Sequence, residues 1–218
     1  MKDSNIDAVI FDMDGVLIDT EKYLSKFWCQ AANEAGFPMT LEHAYAIRSL
    51  AGQFGKEKLQ SFFGSSFDYE SIRSRRKELM NEHLNLNGIE EKTGLLPCLT
   101  KLKAAGYKLA VATSTDSVRT KQYLTQIGIF HLFDNVICTN MVKKGKPEPD
   151  IYLYSCNMLK LKPSRCIAVE DSPNGVLSAY RADLKVIMIP DLTKATTLDE
   201  SRVFKVVSDL NELSNILC

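Results

Sequence analysis

Apolar residues in this chain fall into short unbroken runs, separated by longer stretches in which they recur every three or four positions. Ala8, Val9, Ile10 and Phe11 form the first run, which predicts a buried strand ending at Asp12. From Thr20 the period changes, and Leu24, Phe27, Trp28, Ala31 and Ala35 share one helical face. Asp19 or Thr20 can cap that helix, and Gly36 with Pro38 ends it. Up to about residue 91 the pattern stays helical, with amphipathic pieces near residues 41–50, 56–63 and 69–86. Gly52, Gly55 and Gly64 punctuate them, and no segment there reads as a strand.

At Thr93-Gly94 the pattern changes again. Pro97 opens a helix that carries Leu99 and Leu102 and stops at Gly106. Strands are predicted at residues 108–113, 135–139, 166–170 and 185–189, with helices opening near Ser117, Pro149 and Ser172-Pro173 between them. A last strand and helix fill residues 204–217. Helices alternating with continuous apolar strands signal a parallel sheet covered on both faces. The expected architecture is an α/β core of residues 1–19 and 94–218, with an all-helical insertion at 20–93 after the first strand.

Composition narrows the partners. The 218 residues are 45% hydrophobic and 25% charged, an ordinary balance for a globular chain. Lys plus Arg number 27 and Asp plus Glu number 27, so no basic excess draws the chain to nucleic acid or anionic lipid. Residues 1–5 carry no apolar run, and the run at 8–11 is too short for a signal-peptide core or a membrane span. The six cysteines are scattered without a C-x-x-C pair, which fits reduced thiols in a cytoplasmic protein and speaks against a zinc site. The three histidines share no ligand spacing and lie near no convincing serine nucleophile, which disfavours a Ser-His-Asp hydrolase. The chain is expected to be a monomer or a weak homodimer.

The candidate chemistry lies at the strand ends, because ligands of open α/β sheets bind beyond the carboxyl ends of the strands. The first strand runs into Asp12-Met13-Asp14-Gly15, the second ends in Thr113-Ser114, and the strand at 166–170 runs into Glu170-Asp171. Lys146 lies in the loop Gly145-Lys146-Pro147-Glu148-Pro149. Taken singly, these segments read as a turn, a helix N-terminus and a surface loop. Together they bring four carboxylates, a hydroxyl and a lysine to one rim. Four carboxylates at short range need a cation, and an all-oxygen set without Cys or His favours a hard ion such as Mg²⁺. A carboxylate can also be a nucleophile, forming an aspartyl-phosphate.

The ordered set resembles the haloacid dehalogenase superfamily over nearly the whole chain. Phe11-Asp12-Met13-Asp14-Gly15-Val16-Leu17-Ile18-Asp19-Thr20 is similar to its first motif and Ala112-Thr113-Ser114-Thr115 to its second. Gly145-Lys146-Pro147-Glu148-Pro149-Asp150 is similar to the third and Glu170-Asp171-Ser172-Pro173-Asn174-Gly175 to the fourth. The resemblance implies a Rossmann-like core with a helical cap, as in the branch of β-phosphoglucomutase and sugar-phosphate phosphatases. It implies that Asp12 attacks phosphorus and binds Mg²⁺, and that Asp14 is general acid and then general base, its backbone carbonyl facing the metal. It gives Thr113 and the Ser114 N–H to the phosphoryl oxygens, Lys146 to charge neutralisation, and Asp171 with Glu170 to the metal. In the cap, Arg48, Gln53 and Lys56 are the substrate-facing candidates. Arg73, Arg75, Arg76 and Lys77 read as a solvated helix face interspersed with Glu70, Glu78 and Glu82.

Two positions depart from the mutase type. Leu24 stands where it has a histidine, and Arg48-Ser49-Leu50-Ala51-Gly52-Gln53 does not match its Gly-x-Ser-Arg loop. The expected function is a Mg²⁺-dependent phosphatase of a small phosphorylated metabolite, with a sugar phosphate as one candidate. A phosphosugar mutase is the alternative. A receiver-like signalling domain fits the insertion poorly, a dehalogenase would lack Asp14, and nothing supports a binding protein with a dead site.

Overall fold

The computed structural model describes residues 5–192 and 200–218. Residues 1–4, part of the polar lead-in noted above, and 193–199, within the expected core, lie outside the described residues. The chain runs β1 (Ala8–Phe11), α1 (Glu21–Glu34), α2 (Leu41–Ala46), α3 (Gly52–Phe63), α4 (Tyr69–Asn87), α5 (Leu95–Ala104), β2 (Lys108–Thr113) and α6 (Ser117–Gln126). It continues with β3 (Asn135–Cys138), α7 (Asp150–Leu159), β4 (Cys166–Glu170), α8 (Pro173–Arg181), β5 (Lys185–Met188), β6 (Lys205–Val206) and α9 (Leu210–Leu217).

The six strands form one parallel sheet in the order β3-β2-β1-β4-β5-β6. Strand order therefore reverses between β1 and β4, where Val9 lies opposite Ile167 and Phe11 opposite Val169. Such a switch point opens a crevice at the carboxyl ends of the strands.

Alternation along the strands builds a core on each face. Val9, Phe11, Leu109, Val111, Ile167 and Val169 enter a cluster that α5 and α9 extend through Leu99, Leu102 and Leu213. Ala8, Ile10, Ala110, Ala112 and Ala168 face the other way, against Ile151 and Tyr152 of α7 and Val176 and Ala179 of α8. The small side chains on that second face let α7 and α8 pack close to the sheet. Each fully buried Val, Leu, Ile or Phe contributes roughly 1.5–3 kcal/mol.

Helices α1–α4 all fall between β1 and β2 and add no strand to the sheet. Their own packing uses aromatics: Trp28 of α1 lies 5.5 Å from Tyr69 of α4, and Phe37, Phe63 and Phe67 cluster with ring centroids 4.9–6.1 Å apart. The helix expected over residues 41–50 ends at Ala46, and the chain then turns through Ser49 at a φ of 58°. Leu95 rather than Pro97 opens α5, after Gly94 at a φ of 84°. Pro97 is thus the third helical residue, where the N–H it lacks would have had no intrahelical acceptor.

Candidate active site

The four motifs meet at the carboxyl edge of the sheet, around the β1/β4 switch point. Asp12 follows β1 directly, and its N–H donates to the carbonyl of Val169 in 2.9 Å, which extends the ladder one residue and fixes the carboxylate over the seam. Glu170 is the last residue of β4 and Asp171 the next, both with 0% exposure. Lys146, also fully buried, reaches in from the loop before α7. Its Nζ lies 2.9 Å from Oδ1 of Asp12 and 2.6 Å from Oε1 of Glu170, and the Tyr152 hydroxyl donates to the same Oε1 in 2.6 Å.

Two glycines make room for these acids. Gly15 has a φ of 85°, and a Cβ there would stand 2.3 Å from Oδ2 of Asp171. A Cβ on Gly175 would stand 2.0 Å from Oε2 of Glu170. Both positions therefore need the bare backbone.

Five carboxylates are buried here (Asp12, Asp14, Glu21, Glu170 and Asp171), and among the described residues the buried cations within ion-pair distance of them are two, Lys146 and Arg48. The imbalance shows in the proton affinities. Burial pushes Glu170 up to about 7 against the pull of Lys146, and Glu21 up to about 8 against the pull of Arg48. Burial likewise raises Asp171 well above the usual carboxylate range. Burial lowers the Lys146 ammonium, but the charges of Asp12 and Glu170 outweigh it and hold the pKa above its ordinary value. A divalent cation relieves the same surplus. The residues fit one: ligand oxygens of Asp12, Glu170 and Asp171 lie within 4.8 Å of one another, and Oδ1 of Asp171 is buried without a hydrogen-bond partner.

Asp14 is set apart from this trio. The Thr20 hydroxyl donates to its Oδ1 in 2.5 Å and the Thr115 hydroxyl to its Oδ2 in 2.9 Å. Burial raises its pKa, Asp12 adds to the rise, and the two hydroxyls oppose it. Thr20, a candidate cap for α1, makes no side-chain capping bond and spends its hydroxyl on Asp14 instead. Asp12 and Asp14 thus stand in different surroundings, one against the Lys146 ammonium and one between two hydroxyls with its pKa raised by burial.

Arg48, a substrate-facing candidate, lines the cavity beside the strand ends, but its guanidinium is engaged by the acid cluster. Its guanidinium pairs with Asp171 Oδ2, lies 3.3 Å from Oε2 of Glu21 and 3.8 Å from Oδ2 of Asp191. The loop that carries it is stitched to the core: Ser114 Oγ donates to the Ser49 carbonyl in 2.6 Å, Asn174 Nδ2 to the Arg48 carbonyl in 2.8 Å, and the Ala51 N–H to the Lys146 carbonyl in 2.8 Å. Helices α1–α4 thereby lie closed over the strand ends.

A cavity of about 110 Å³ remains between them, reaching from Asp12, Asp14, Thr113 and Ser114 at one end to α1 and α4 at the other. Leu24 lines it with an alkyl side chain. Gln53 and Lys56 are exposed and outside the cavity, because α3 turns Gly52, Gly55 and Leu59 inward and residues one position on from these point elsewhere. The basic cluster on α4 divides. Arg75 pairs with Glu34 in 2.8 Å and Glu78 in 3.2 Å, as a solvated face should, but Arg76 is buried, and Arg73, Arg76 and Lys77 line the cavity. Glu21, Thr20, Thr115, Tyr152 and Asp191 join the site although the sequence reading assigned none of them to it. Only Thr20 and Thr115, which stand inside the first and second motif segments, carried a signal there.

Comparison with known proteins agrees with this fold. A family profile described as haloacid dehalogenase-like hydrolase matches residues 9–189. The phosphorylated carbohydrates phosphatase of Thermotoga maritima is 30% identical over 218 residues, covering 97% of this chain and 98% of that protein. The beta-phosphoglucomutase of Bacillus subtilis is 29% identical over 185 residues, covering 81% and 80%. Among solved structures, a hydrolase from Pseudomonas syringae superposes with a TM-score of 0.87 at 20% identity over 97% of both chains.

Proposed function

This chain belongs to the haloacid dehalogenase-like hydrolases, and on that premise we propose that it is a cytoplasmic, Mg²⁺-dependent phosphatase working through an aspartyl-phosphate on Asp12. The substrate is a small phosphorylated metabolite, in keeping with the phosphatases among its relatives. The observation that carries the mechanism is the contrast between the surroundings of Asp12 and Asp14. Asp12 has Oδ1 against Lys146 and Oδ2 3.5 Å from the Ser49 hydroxyl, while burial raises the proton affinity of Asp14, two residues on.

Phosphoryl transfer needs in-line positioning and charge neutralisation more than covalent assistance from the protein. Asp12 supplies the attacking oxygen. Thr113 and the Ser114 N–H bind the phosphoryl oxygens at the end of β2. Lys146 offsets charge on Asp12 and on the group being transferred. Asp14, protonated at first, gives its proton to the departing alkoxide, and the resulting carboxylate then takes a proton from the water that hydrolyses the Asp12 ester. Thr20 and Thr115 hold both Asp14 oxygens in place through this cycle. Asp12, Glu170 and Asp171 would hold Mg²⁺, with the Asp14 carbonyl also facing it, and the ion supplies further charge neutralisation for the entering phosphate. Residues 20–93 act as a cap that excludes water while the ester forms.

Leu24 favours hydrolysis over a mutase. A mutase must manage proton transfer at a sugar hydroxyl as the second acceptor, and an alkyl side chain at that place moves no proton. The test is release of phosphate from an aryl phosphate with Mg²⁺, using EDTA as control. Asp12→Asn should abolish it, and retained turnover would sink the mechanism.

A further inference from the structure

The end of the cavity away from Asp12 is a collection of cations without counter-ions. Arg76 of α4 is 8% exposed and its Nε has no hydrogen-bond partner. Its guanidinium lies 5.4 Å from the Trp28 ring centroid, a cation–π contact that orients it without neutralising it. Arg73 lies beside it, over Tyr69 at 5.9 Å, and Lys77 and Arg119 line the same end. Among the described residues, none of these four has a carboxylate oxygen within 4.0 Å. Asp116 also lines the cavity, with its Oδ1 accepting the backbone N–H of Arg119 as the cap of α6, and Asp14 is near enough for the Arg76 charge to act on it, though its two oxygens already accept from Thr20 and Thr115.

Natural chains rarely bury an unpaired guanidinium, because losing its hydration is costly unless an anion replaces the water. Here the cost is repeated: burial, joined by the charges of Arg119 and Arg73, pulls the Arg76 pKa down to about 10. Burial and the same two arginines lower Lys77 as well. By contrast Arg75, one residue away on α4 and facing solvent, is fully paired with Glu34 and Glu78. A merely solvated basic face would pair in the same way. The cations that point into the cavity are the ones left without a carboxylate partner, although Arg119 also donates to the Asn81 side-chain oxygen in 3.3 Å.

We propose that this end of the cavity is a second anion site, and that the substrate carries a carboxylate or a second phosphate that Arg73, Arg76, Lys77 and Arg119 hold. The inference rests on the phosphatase reading for the group placed at Asp12. The room is limited, about 110 Å³ for the centres of water-sized molecules, so the two anionic groups belong to one small substrate. Charge-assisted bonds to several donors at once would also orient the phosphoryl group towards Asp12.

Unreactive phosphonates test this without turnover. With Mg²⁺ present, calorimetry would compare 3-phosphonopropionate and propane-1,3-bisphosphonate with propylphosphonate, which has one anionic end. At least one of the doubly anionic ligands should bind about tenfold tighter or more, and which of the two does so separates carboxylate from phosphate. The preference should shrink in Arg76→Gln and, should that variant fold poorly, in Lys77→Gln and Arg119→Gln. It should persist in Arg75→Gln. Equal affinities for all three ligands, or a preference that survives the variants in the cavity, overturns the second anion site. Phosphate release from an aryl phosphate is measured in parallel. Turnover with no anion preference leaves the phosphatase reading standing and the site refuted, whereas the preference without any turnover keeps the site and refutes the phosphatase.

Discussion

The Nζ of Lys146 lies 2.9 Å from Oδ1 of Asp12, with both side chains almost wholly shielded from solvent. Breaking a buried pair leaves a lone buried charge and typically costs about 3–5 kcal/mol. Lys146→Met should therefore lower the melting temperature and cut kcat/KM by roughly 10²–10³, the scale of losing one donor to a developing negative charge. A variant with near-normal kcat/KM would remove Lys146 from the chemistry.

Arg48 occupies Oδ2 of Asp171 while Oδ1 is left unpartnered. On the metal-dependent reading proposed above, Arg48 and the cation would share the task of neutralising one acid cluster. In Arg48→Met the metal-free protein should melt lower than wild type, and added Mg²⁺ should raise its melting temperature by more than it raises that of wild type. An equal Mg²⁺ shift in both proteins would show that the guanidinium and the metal site are uncoupled.

The raised carboxyl groups set a pH dependence. Glu21 at about 8 and Glu170 at about 7 bind protons more tightly folded than unfolded, where the ordinary value is 4.5. Between roughly pH 4.5 and 8 the folded state holds more protons, so this contribution is fully present below that window and is lost as pH rises through it. Melting temperatures in EDTA should fall across the window, and saturating Mg²⁺ should flatten the slope because the cation takes over from the protons. A slope of the opposite sign in EDTA would contradict the buried surplus of carboxylates.

Gly175 permits the close approach of Glu170, since a Cβ there would meet Oε2 at 2.0 Å. Gly175→Ala must push the carboxylate out of its place beside Lys146 and Tyr152. Both weaker Mg²⁺ binding by titration calorimetry and a loss of kcat/KM of about tenfold or more are expected. Wild-type Mg²⁺ affinity in this variant would mean that Glu170 does not support the metal.

The sheet was legible in the sequence because its strands are buried on both faces. β2 and β4, as continuous apolar runs, stand where the pattern puts them, at Lys108–Thr113 and Cys166–Glu170. The acids at the strand ends were legible for the same reason, since strand order and a parallel sheet bring those ends together. Side chains from α1–α4 were harder to place. Arg75 and Arg76 are adjacent and chemically alike, yet one meets Glu34 in solvent and the other Trp28 in the interior. A helix turns about 100° per residue, so which of them is inward depends on how α4 docks against α1 and the core. Arg48 reaches Asp171 across 123 positions of chain, a contact with no local signal.

The central claim is that Asp12 is the nucleophile, and trapping its phosphoryl ester tests that most directly. In Asp14→Asn the group that activates water is gone, while an aryl oxide, being weakly basic, can leave without a proton from Asp14, so the acyl phosphate should accumulate. The variant would be mixed with Mg²⁺ and an aryl phosphate, quenched in acid, digested and sequenced by mass spectrometry. The expected result is a single peptide heavier by one phosphoryl group, with the modification on Asp12, appearing together with a stoichiometric burst of the aryl alcohol. A burst with no phosphoryl group on Asp12, or with the group on another residue, would contradict it.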